Sequence, residues 1–548
     1  MNTLALIFRV LPVIQLLSEL WIVYSFLNVV WKVTAHLLIR ALATAIFLYL
    51  CPSVRVVFYN AVYFPLLSKA RAVPSPSTGR NIFHGHYSDG KSIVDGVTSM
   101  AYAREALPRA RLLRVSASFY PSARPWEVIL PVSRDSVHQV LVSRAESFVR
   151  SISAYSILAR IFGKGVLTTD SASAHDMMRS SLLPAFTQHN VVRLVPGFLE
   201  HTSKLIVSIE NKLDHSNPTT SMHLEQPITR SLTDSTCQAL VGDNFNLLEH
   251  PESMTATAFQ RLLLGTAPAR VIFHCTLKFT KWRDHDIVND FVREAVNAKI
   301  ALHNSKQKYE DASGSDGQHR NANIMSFLLE HDAPAWTADS FLEQFYSLLV
   351  MQSDTIGGVR RTLWYLTLYP EIQSRLRDEI RSTFPEGAAS ITSASDLTSL
   401  RFLDCVLKES LRLAPPRRNA VFRKAVKDVH IDGYRIPKGA TVYVDAYMLN
   451  RLPSVWGPDA SEFYPERWQQ KESNTDTFTD EQNLMTFSKG PFSCIGEQVA
   501  LLQMKAFLAG LVGTFSFESP EEDPMADKDN VYSAEKLKAL LVARVPGW

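Results

Sequence analysis

The residues best suited to chemistry lie in segment 487–496, which reads Phe-Ser-Lys-Gly-Pro-Phe-Ser-Cys-Ile-Gly. Cys494 stands between Gly490 and Gly496, and an apolar, amphipathic run follows it. Glycine lets a backbone turn sharply and approach a flat ligand, because it has no Cβ. A helix that begins at about Ile495 would point its N-terminal N–H groups at the sulfur, which predicts a lowered thiol pKa. Such a thiolate can be the axial ligand of a haem iron, whereas the alternative is a buried structural cysteine.

A second chemical pair lies in a long apolar segment. Residues 341–369 stop before Pro370 and are predicted to form one long helix. Asp354 and Thr355 are neighbours in its middle, and adjacent polar residues in an apolar helix are costly unless they are paired. A hydroxyl can hold an ordered water while a carboxylate relays protons from solvent. We therefore predict that Asp354 and Thr355 are catalytic; a polar pocket without chemistry is the alternative.

A third set of polar residues indicates an ion-pair network. Glu409 and Arg412 are three residues apart in a segment of helical periodicity that ends at two prolines, so their side chains lie on the same side of a helix. Further along, Arg467 stands in the sequence Pro-Glu-Arg-Trp. A buried network of this kind mainly fixes geometry, so its predicted role is structural.

Together these segments resemble the cytochrome P450 family. The resemblance runs from about residue 163 to residue 517 and rests on the haem loop, the oxygen-binding motif, the Glu-x-x-Arg element and the Pro-Glu-Arg-Phe element. The haem loop matches at Phe487, Gly490, Cys494 and Gly496. The oxygen-binding motif matches at Asp354 and Thr355, the Glu-x-x-Arg element at Glu409 and Arg412, and the Pro-Glu-Arg-Phe element at Arg467. The chain departs from the family at Phe492, where Arg or His is usual, and at Met351 and Gln352, where small residues are usual.

The resemblance also implies roles for residues outside these motifs. His175 and Arg179, four apart on one predicted helix, correspond to the family's pair that binds the haem propionates, and Arg423 to a further propionate contact. Arg467 would complete a buried network with Glu409 and Arg412. Candidate substrate-pocket residues follow Pro416; they are Asn419, Ala420 and Val421.

Composition and patterning are typical of a large globular chain, in one big domain or two, that faces a reducing compartment. The chain has 548 residues, 46% of them hydrophobic, which is enough for a large core, and its net charge of +3 is too small to indicate nucleic-acid binding. Its five cysteines include no Cys-x-x-Cys pair, which argues against a zinc ribbon or a disulfide scaffold. Short alternating runs in 111–132, and turn residues Gly433 and Gly439, predict small sheets. The expected fold class is mostly α with a small β-rich lobe, as the family resemblance also implies.

The N-terminal region predicts a membrane anchor. Segment 10–31 is apolar enough to span a bilayer, and a second apolar run, 41–67, makes a two-span anchor the alternative. We expect an anchor in 1–67, a proline-rich hinge in 68–80 and a haem-thiolate catalytic domain in 81–548. Lys69, Arg71 and Arg80 follow the apolar region, so the positive-inside rule predicts a catalytic domain that faces the cytosol, at the endoplasmic reticulum membrane.

The resemblance implies a haem-thiolate monooxygenase with haem b, bound through Cys494, as its cofactor. The chain has no flavin or dinucleotide motif, so we expect electrons from NADPH through a separate NADPH-cytochrome P450 reductase. The expected substrate is an apolar small molecule, such as a terpenoid or another secondary metabolite, as in many fungal members. Two alternatives remain. A haem-thiolate isomerase or dehydratase without oxygen activation is left open by the residues at 351 and 352, although Asp354 and Thr355 argue against it. A catalytically degenerate membrane-bound binding protein is favoured by Phe492, although Cys494 argues against it.

Overall fold

The computed structural model describes residues 17–26, 28, 52–76, 107, 109–117, 126–151, 165–169, 171–213, 219–243, 245–264, 281–310, 322–332, 336–416, 421–469, 483–520 and 540–548. The described part is mostly helical, which confirms the expected fold class. The α-helices are α1 (Pro52–Phe58), α2 (Arg134–His138), α3 (Ala172–Leu182), α4 (Gln188–Val192), α5 (Val195–Glu210), α6 (Glu225–Val241), α7 (Met254–Leu264), α8 (Lys281–Glu310), α9 (Ile324–Asp332), α10 (Ala338–Leu368), α11 (Pro370–Thr383), α12 (Ala394–Ser399), α13 (Arg401–Leu413), α14 (Ala446–Leu449), α15 (Pro453–Trp456) and α16 (Glu497–Thr514).

Short strands form small sheets, as the alternating runs predicted. The strands are β1 (Leu112–Ala117), β2 (Trp126–Pro131), β3 (Phe148–Arg150), β4 (Thr220–Met222), β5 (Val421–Ala425), β6 (Val429–Ile431), β7 (Tyr434–Ile436), β8 (Thr441–Val444), β9 (Phe515–Glu518) and β10 (Leu540–Arg544). They give a five-stranded sheet in the order β1-β2-β8-β5-β3, a three-stranded sheet β4-β10-β9 and the hairpin β6-β7. The β2–β8 pair is parallel and the other pairs of the five-stranded sheet are antiparallel.

The chain forms two compact units. Unit 1 is built from Met1–Ser151, Arg418–Gly457 and Ser488–Ser493, and it contains the five-stranded sheet and the β6-β7 hairpin. Unit 2 is built from Ile152–Arg417, Pro458–Phe487 and Cys494–Trp548, and it contains most of the helices and the three-stranded sheet.

In unit 1, a buried polar cluster joins the N-terminal segment to the sheet. Arg114, on β1 and 4% exposed, donates from Nη1 to the carbonyl of Phe64 (2.7 Å) and lies 4.2 Å from the centre of the Phe64 ring. Its Nη1 is 3.9 Å from the Glu127 carboxylate, which accepts the Ser68 hydroxyl at 2.6 Å. We call Phe64, Ser68, Arg114 and Glu127 the Arg114 cluster. It holds the first residues of the predicted hinge against the sheet, while residues 77–80 lie outside the described part.

In unit 2, the long helix α10 is central, as predicted for segment 341–369. Thr337 begins it with a capping box: its hydroxyl accepts the Ser340 N–H (3.2 Å), and the Ser340 hydroxyl accepts the Thr337 N–H (2.9 Å). The helix ends where Pro370 begins α11. It packs against α6, α8, α13 and α16, so its residues are buried on several sides.

The predicted anchor falls largely outside the described residues. Residues 17–26 are helical, and α1 continues as a π-helix over Tyr59–Leu67. Within the described ranges, no helix has both the length and the apolar character needed to cross a membrane. The runs 10–31 and 41–67 are therefore not observed as spans, and the anchor stays a prediction.

Candidate functional site

The cysteine loop is closed by backbone hydrogen bonds. The Cys494 N–H donates to the Phe487 carbonyl (2.9 Å), and the helix that follows, α16, begins at Glu497 with Gly496 as its N-cap residue. The start of this helix lies close to the predicted start at Ile495. Phe487, Cys494 and Gly496 are each half-buried.

The two glycines of the loop differ in what they do for the backbone. Gly490 has a φ of +72°, in the left-handed region that favours glycine, and a Cβ there would overlap the carbonyl oxygen of Leu141 in the same unit. Gly490 also begins a short 3-10 turn that ends at Phe492. Gly496 has a φ of −94°, which any residue can adopt. The need for glycine in the turn is therefore confined to Gly490.

The thiol pKa differs from the expected value. Burial raises the pKa of Cys494 to about 11, a hydrogen bond from the Gly496 N–H lowers it, and the Asp354 carboxylate raises it further. The N–H at the helix start lowers this pKa as expected, but the predicted net lowering is wrong for the free thiol, because desolvation of the sulfur outweighs the Gly496 N–H and the Arg179 cation. A cysteine that ligates a metal is deprotonated by the metal's own charge. The donor set, the thiol of a half-buried cysteine with an N–H donor at its sulfur, fits an axial ligand of haem iron.

His175 and Arg179 lie on α3, one turn apart, as the spacing predicted. Ser171 caps this helix by accepting the Ala174 N–H at 3.3 Å. The His175 ring is 2% exposed, with Nδ1 3.2 Å from the Asp176 carboxylate. Burial lowers the pKa of the Arg179 guanidinium, an effect that the nearby Cys494 sulfur opposes. The structure thus brings Arg179 into electrostatic range of Cys494.

Asp354 and Thr355 lie on the middle turns of α10. Thr355 is buried and Asp354 is half-exposed, and the effect of Asp354 on the Cys494 thiol places the carboxylate in range of the sulfur. Cys494, Arg179 and Asp354 therefore come together in unit 2. The thiol, the guanidinium and the carboxylate of these residues are the ionisable groups at the centre of the candidate site.

Gln352 has a contact that the sequence did not predict. Its side chain is 4% exposed and donates from Nε2 to the Thr233 hydroxyl on α6 (3.0 Å). The Thr233 hydroxyl in turn donates to the Thr229 carbonyl (2.7 Å). The amide therefore joins α10 to α6. The side chain of Met351, the other departure from the family in this motif, lies outside the described part.

Glu409, Arg412 and Arg467 form a fully connected network in unit 2. Glu409 and Arg412 are completely buried, with Arg412 Nε 2.9 Å and Nη2 2.8 Å from the two carboxylate oxygens. Arg467 Nε lies 2.9 Å from the same carboxylate, and the Trp468 indole N–H donates to it at 3.0 Å. Burial alone would lower the pKa of Arg467, but the Glu409 and Asp459 carboxylates together more than offset this, so the pKa is raised. The role of Trp468 as a donor was not predicted from the sequence.

Arg423 belongs to unit 1, where it contacts Phe492. Its guanidinium carbon lies 4.5 Å from the centre of the Phe492 ring, and the side chain is 4% exposed. Arg150, which sequence reasoning missed, lies 5.5 Å from the same ring. Of the predicted pocket residues, Val421 begins β5 and is buried, whereas Asn419 and Ala420 lie outside the described residues.

The cysteine loop, the buried Glu409 network and the mostly helical fold define the class of haem-thiolate enzymes. The family model for cytochrome P450 matches residues 123–541, and the chain belongs to that family. The cytochrome P450 monooxygenase sphH of Aspergillus fumigatus is 27% identical over 433 residues, which cover 75% of this chain and 78% of the relative. The cytochrome P450 monooxygenase FSL4 of Gibberella zeae is 26% identical, with 85% of each chain covered. The cytochrome P450 monooxygenase ptmK of Penicillium ochrochloron is 24% identical and covers 86% of this chain and 92% of the relative.

The protein is therefore a cytochrome P450 monooxygenase, and its cofactor is haem. Haem iron with a thiolate ligand supplies the redox chemistry of oxygen activation.

Proposed function

We propose that this monooxygenase inserts one oxygen atom from O2 into an apolar small molecule, a terpenoid or another secondary metabolite. The observation that carries the proposal is the environment of Cys494, a half-buried residue whose sulfur accepts a hydrogen bond from Gly496, with Arg179 and Asp354 in electrostatic range. Two electrons would come from NADPH through NADPH-cytochrome P450 reductase. The fungal relatives that are called cytochrome P450 monooxygenases support the reaction class.

Each site residue has one proposed role. Cys494 ligates the iron, and Phe487, Gly490 and Gly496 shape the loop around it. Asp354, half-exposed, exchanges protons with solvent, and the buried Thr355 hydroxyl orders a water molecule near the oxygen to be protonated. His175, Arg179 and Arg423 donate to the haem carboxylates, since charge-assisted hydrogen bonds of this kind are strong.

The substrate pocket and the cellular location are part of the proposal. Val421 and the two residues before it, Asn419 and Ala420, would contact the substrate. We place the enzyme at the endoplasmic reticulum membrane with its catalytic domain in the cytosol, because the first 67 residues are apolar and the basic residues Lys69, Arg71 and Arg80 follow them.

The deciding experiment is the reduced, carbon-monoxide difference spectrum of membranes that contain the full chain. A red-shifted Soret band of the thiolate type is expected for the wild type and should be lost in Cys494→Ser. Cys405→Ser is the matched control, since Cys405 is a buried cysteine of the structural helix α13 and should leave the band unchanged. A band that survives in Cys494→Ser would move the ligand elsewhere, and a wild type without haem would refute the proposal.

Substrate class is then tested by turnover with a reductase and NADPH. Oxygenated products that carry one atom from labelled O2 are expected from apolar substrates. Rearranged products without incorporated label would instead support an isomerase or dehydratase.

A further inference from the structure

The Gln352 side chain on α10 has a fixed orientation. Its Nε2 donates to the Thr233 hydroxyl on α6 at 3.0 Å, and that hydroxyl donates to the Thr229 carbonyl at 2.7 Å. A hydroxyl carries a single proton, so Thr233 can only accept from the amide, and the nitrogen of Gln352 must face it. The amide oxygen, Oε1, is therefore the end of the side chain that Thr233 does not bind.

This amide oxygen is buried and lacks a donor. Gln352 is 4% exposed, and within the part of the chain that the structure describes no N–H or O–H group donates to its Oε1. The backbones of α6 and α10 cannot supply a donor, because both helices are continuous and their interior N–H groups bond to carbonyls four residues earlier. A buried acceptor without a donor is unfavourable, so the site favours a small molecule that can donate.

Thr355 is placed to share such a molecule. It lies three residues after Gln352 on α10, and residues at this spacing are neighbours whose Cβ atoms are about 5–6 Å apart. Two hydrogen bonds through one water span a similar distance, since each joins two oxygens roughly 2.8 Å apart. Thr355 is also buried, at 6% exposed. Buried waters typically bind polar groups that the protein leaves without partners.

We propose that Gln352 Oε1 and the Thr355 hydroxyl hold one buried water molecule between them. The water donates to Oε1 and hydrogen-bonds the Thr355 hydroxyl, which fixes the orientation of that hydroxyl. Gln352 is a positioning residue, because it acts on the reacting atoms only through the water and Thr355. The inference rests on the proposed role of Thr355 in proton delivery and concerns a position at which the chain departs from the small residue usual in the family.

The direct test is a crystal structure of the full-length protein at a resolution that shows ordered waters. A water within hydrogen-bond distance of both Gln352 Oε1 and Thr355 Oγ1 is expected in the wild type. It should be lost in Gln352→Leu, which has no acceptor. It should remain in Gln352→Glu, because burial favours the neutral carboxyl group, whose O–H can donate to Thr233 while its C=O accepts as Oε1 does. A wild type without this water would overturn the inference.

A double-mutant cycle tests the bridge in solution without turnover. Gln352→Leu and Thr355→Val should each lower the urea midpoint, and the double variant should lower it by clearly less than the sum, since either change alone already releases the water. Thr362→Val is the matched control. Thr362 is a fully buried threonine of α10, about 15 Å further along the helix, whose hydroxyl donates to the Gly358 carbonyl. Its shift should add to that of Gln352→Leu, and additive shifts for Thr355→Val as well would overturn the inference.

The functional test measures hydrogen peroxide formed per NADPH with the reductase and an apolar substrate that the wild type oxygenates. Gln352→Leu should raise this ratio about fivefold, as expected for the loss of one hydrogen bond that orients Thr355, and Gln352→Glu should stay near the wild type. Gln503→Leu is the control, because the Gln503 amide joins α16 to α6 through the Ser235 hydroxyl at 2.9 Å and so removes the same kind of helix contact. An equal rise in Gln503→Leu would show general loosening of the helices and would overturn the positioning role.

The outcomes separate this inference from the proposed function. A wild type with a thiolate-type Soret band and oxygenated products, but without the water or with additive shifts, would overturn the inference and leave the proposed function standing. A wild type that shows no such band, or that oxygenates no apolar compound, would overturn the proposed function and with it the positioning role. The crystal structure and the double-mutant cycle would then still decide whether Gln352 and Thr355 hold a water.

Discussion

Glu409→Gln should strongly destabilise the protein, although the new side chain has almost the same size. The Glu409 carboxylate accepts five hydrogen bonds at 2.8–3.0 Å, from Arg412 Nε and Nη2, Arg467 Nε, the Tyr464 N–H and the Trp468 indole N–H. Glutamine replaces one acceptor oxygen with a donor NH2 group and removes the carboxylate charge that both buried guanidinium groups share, although Arg467 keeps its pair with Asp459. Breaking a buried ion pair costs about 3–5 kcal/mol, against a total stability of roughly 5–15 kcal/mol.

The assay is urea denaturation of the full-length protein, followed by circular dichroism. With a denaturant dependence of about 3 kcal/mol per molar urea, the midpoint should fall by at least about 1 M. Glu466→Gln is the matched control, because it makes the same change one residue before Arg467. Glu466 pairs at the surface with Arg375, which is 52% exposed, and surface pairs are worth about 0–1 kcal/mol. Similar midpoints for the two variants would refute the view that burial of the network determines its contribution to the free energy of unfolding.

Three further predictions concern other parts of unit 1 and unit 2. Gly490→Ala should reduce haem occupancy and thermal stability, since a Cβ would overlap the Leu141 carbonyl at a φ of +72°. Gly433→Ala is the control, because Gly433 also has a positive φ but has open space around it. Equal losses in the two variants would mean that backbone strain, and not the overlap with Leu141, causes the loss. Asp234→Asn should flatten the pH dependence of stability between pH 4 and 6. Burial raises the pKa of Asp234 from 3.8 to about 6, so the folded state binds more protons than the unfolded state in this window. In the wild type, the free energy of unfolding should therefore fall by roughly 3 kcal/mol as the pH rises from 4 to 6. Denaturation midpoints from pH 4 to 7 measure this, and parallel curves for wild type and variant would exclude Asp234 as the source. Thr355→Ala should leave the carbon-monoxide spectrum intact but divert NADPH-derived electrons to hydrogen peroxide, measured as peroxide per NADPH consumed; unchanged coupling would remove the proposed role of the hydroxyl.

Local spacing made much of the fold and of the candidate site predictable. The helix over 341–369, the cysteine loop and the Glu409–Arg412 pair each follow from residues within a few turns of one another. What could not be predicted depends on residues that are distant in the chain. The pKa of Cys494 is set by burial under the fold rather than by the helix that begins beside it. Gln352 looked like a change in an oxygen-binding groove, but its hydrogen-bond partner Thr233 lies on another helix.

The same reasoning explains why Arg150 was missed. Its signal is the register of β3 against β5 and the packing of Phe492 onto both arginines, and neither is visible in a one-dimensional motif. Phe492 was visible as a departure from the family pattern. The contact of Phe492 with both arginines, however, depends on the pairing of β3 with β5.

The Arg114 cluster has a practical consequence for shortening the chain. A recombinant form trimmed at the proline-rich stretch would start after residue 76 and lose the Phe64 carbonyl and the Ser68 hydroxyl. Arg114 and Glu127 would then remain on the sheet without these partners, which costs roughly 1–3 kcal/mol for each unsatisfied buried group. Deletions that aim at a well-behaved protein should therefore end before Pro52, so that α1 and the segment up to residue 76 stay attached to the sheet they complete.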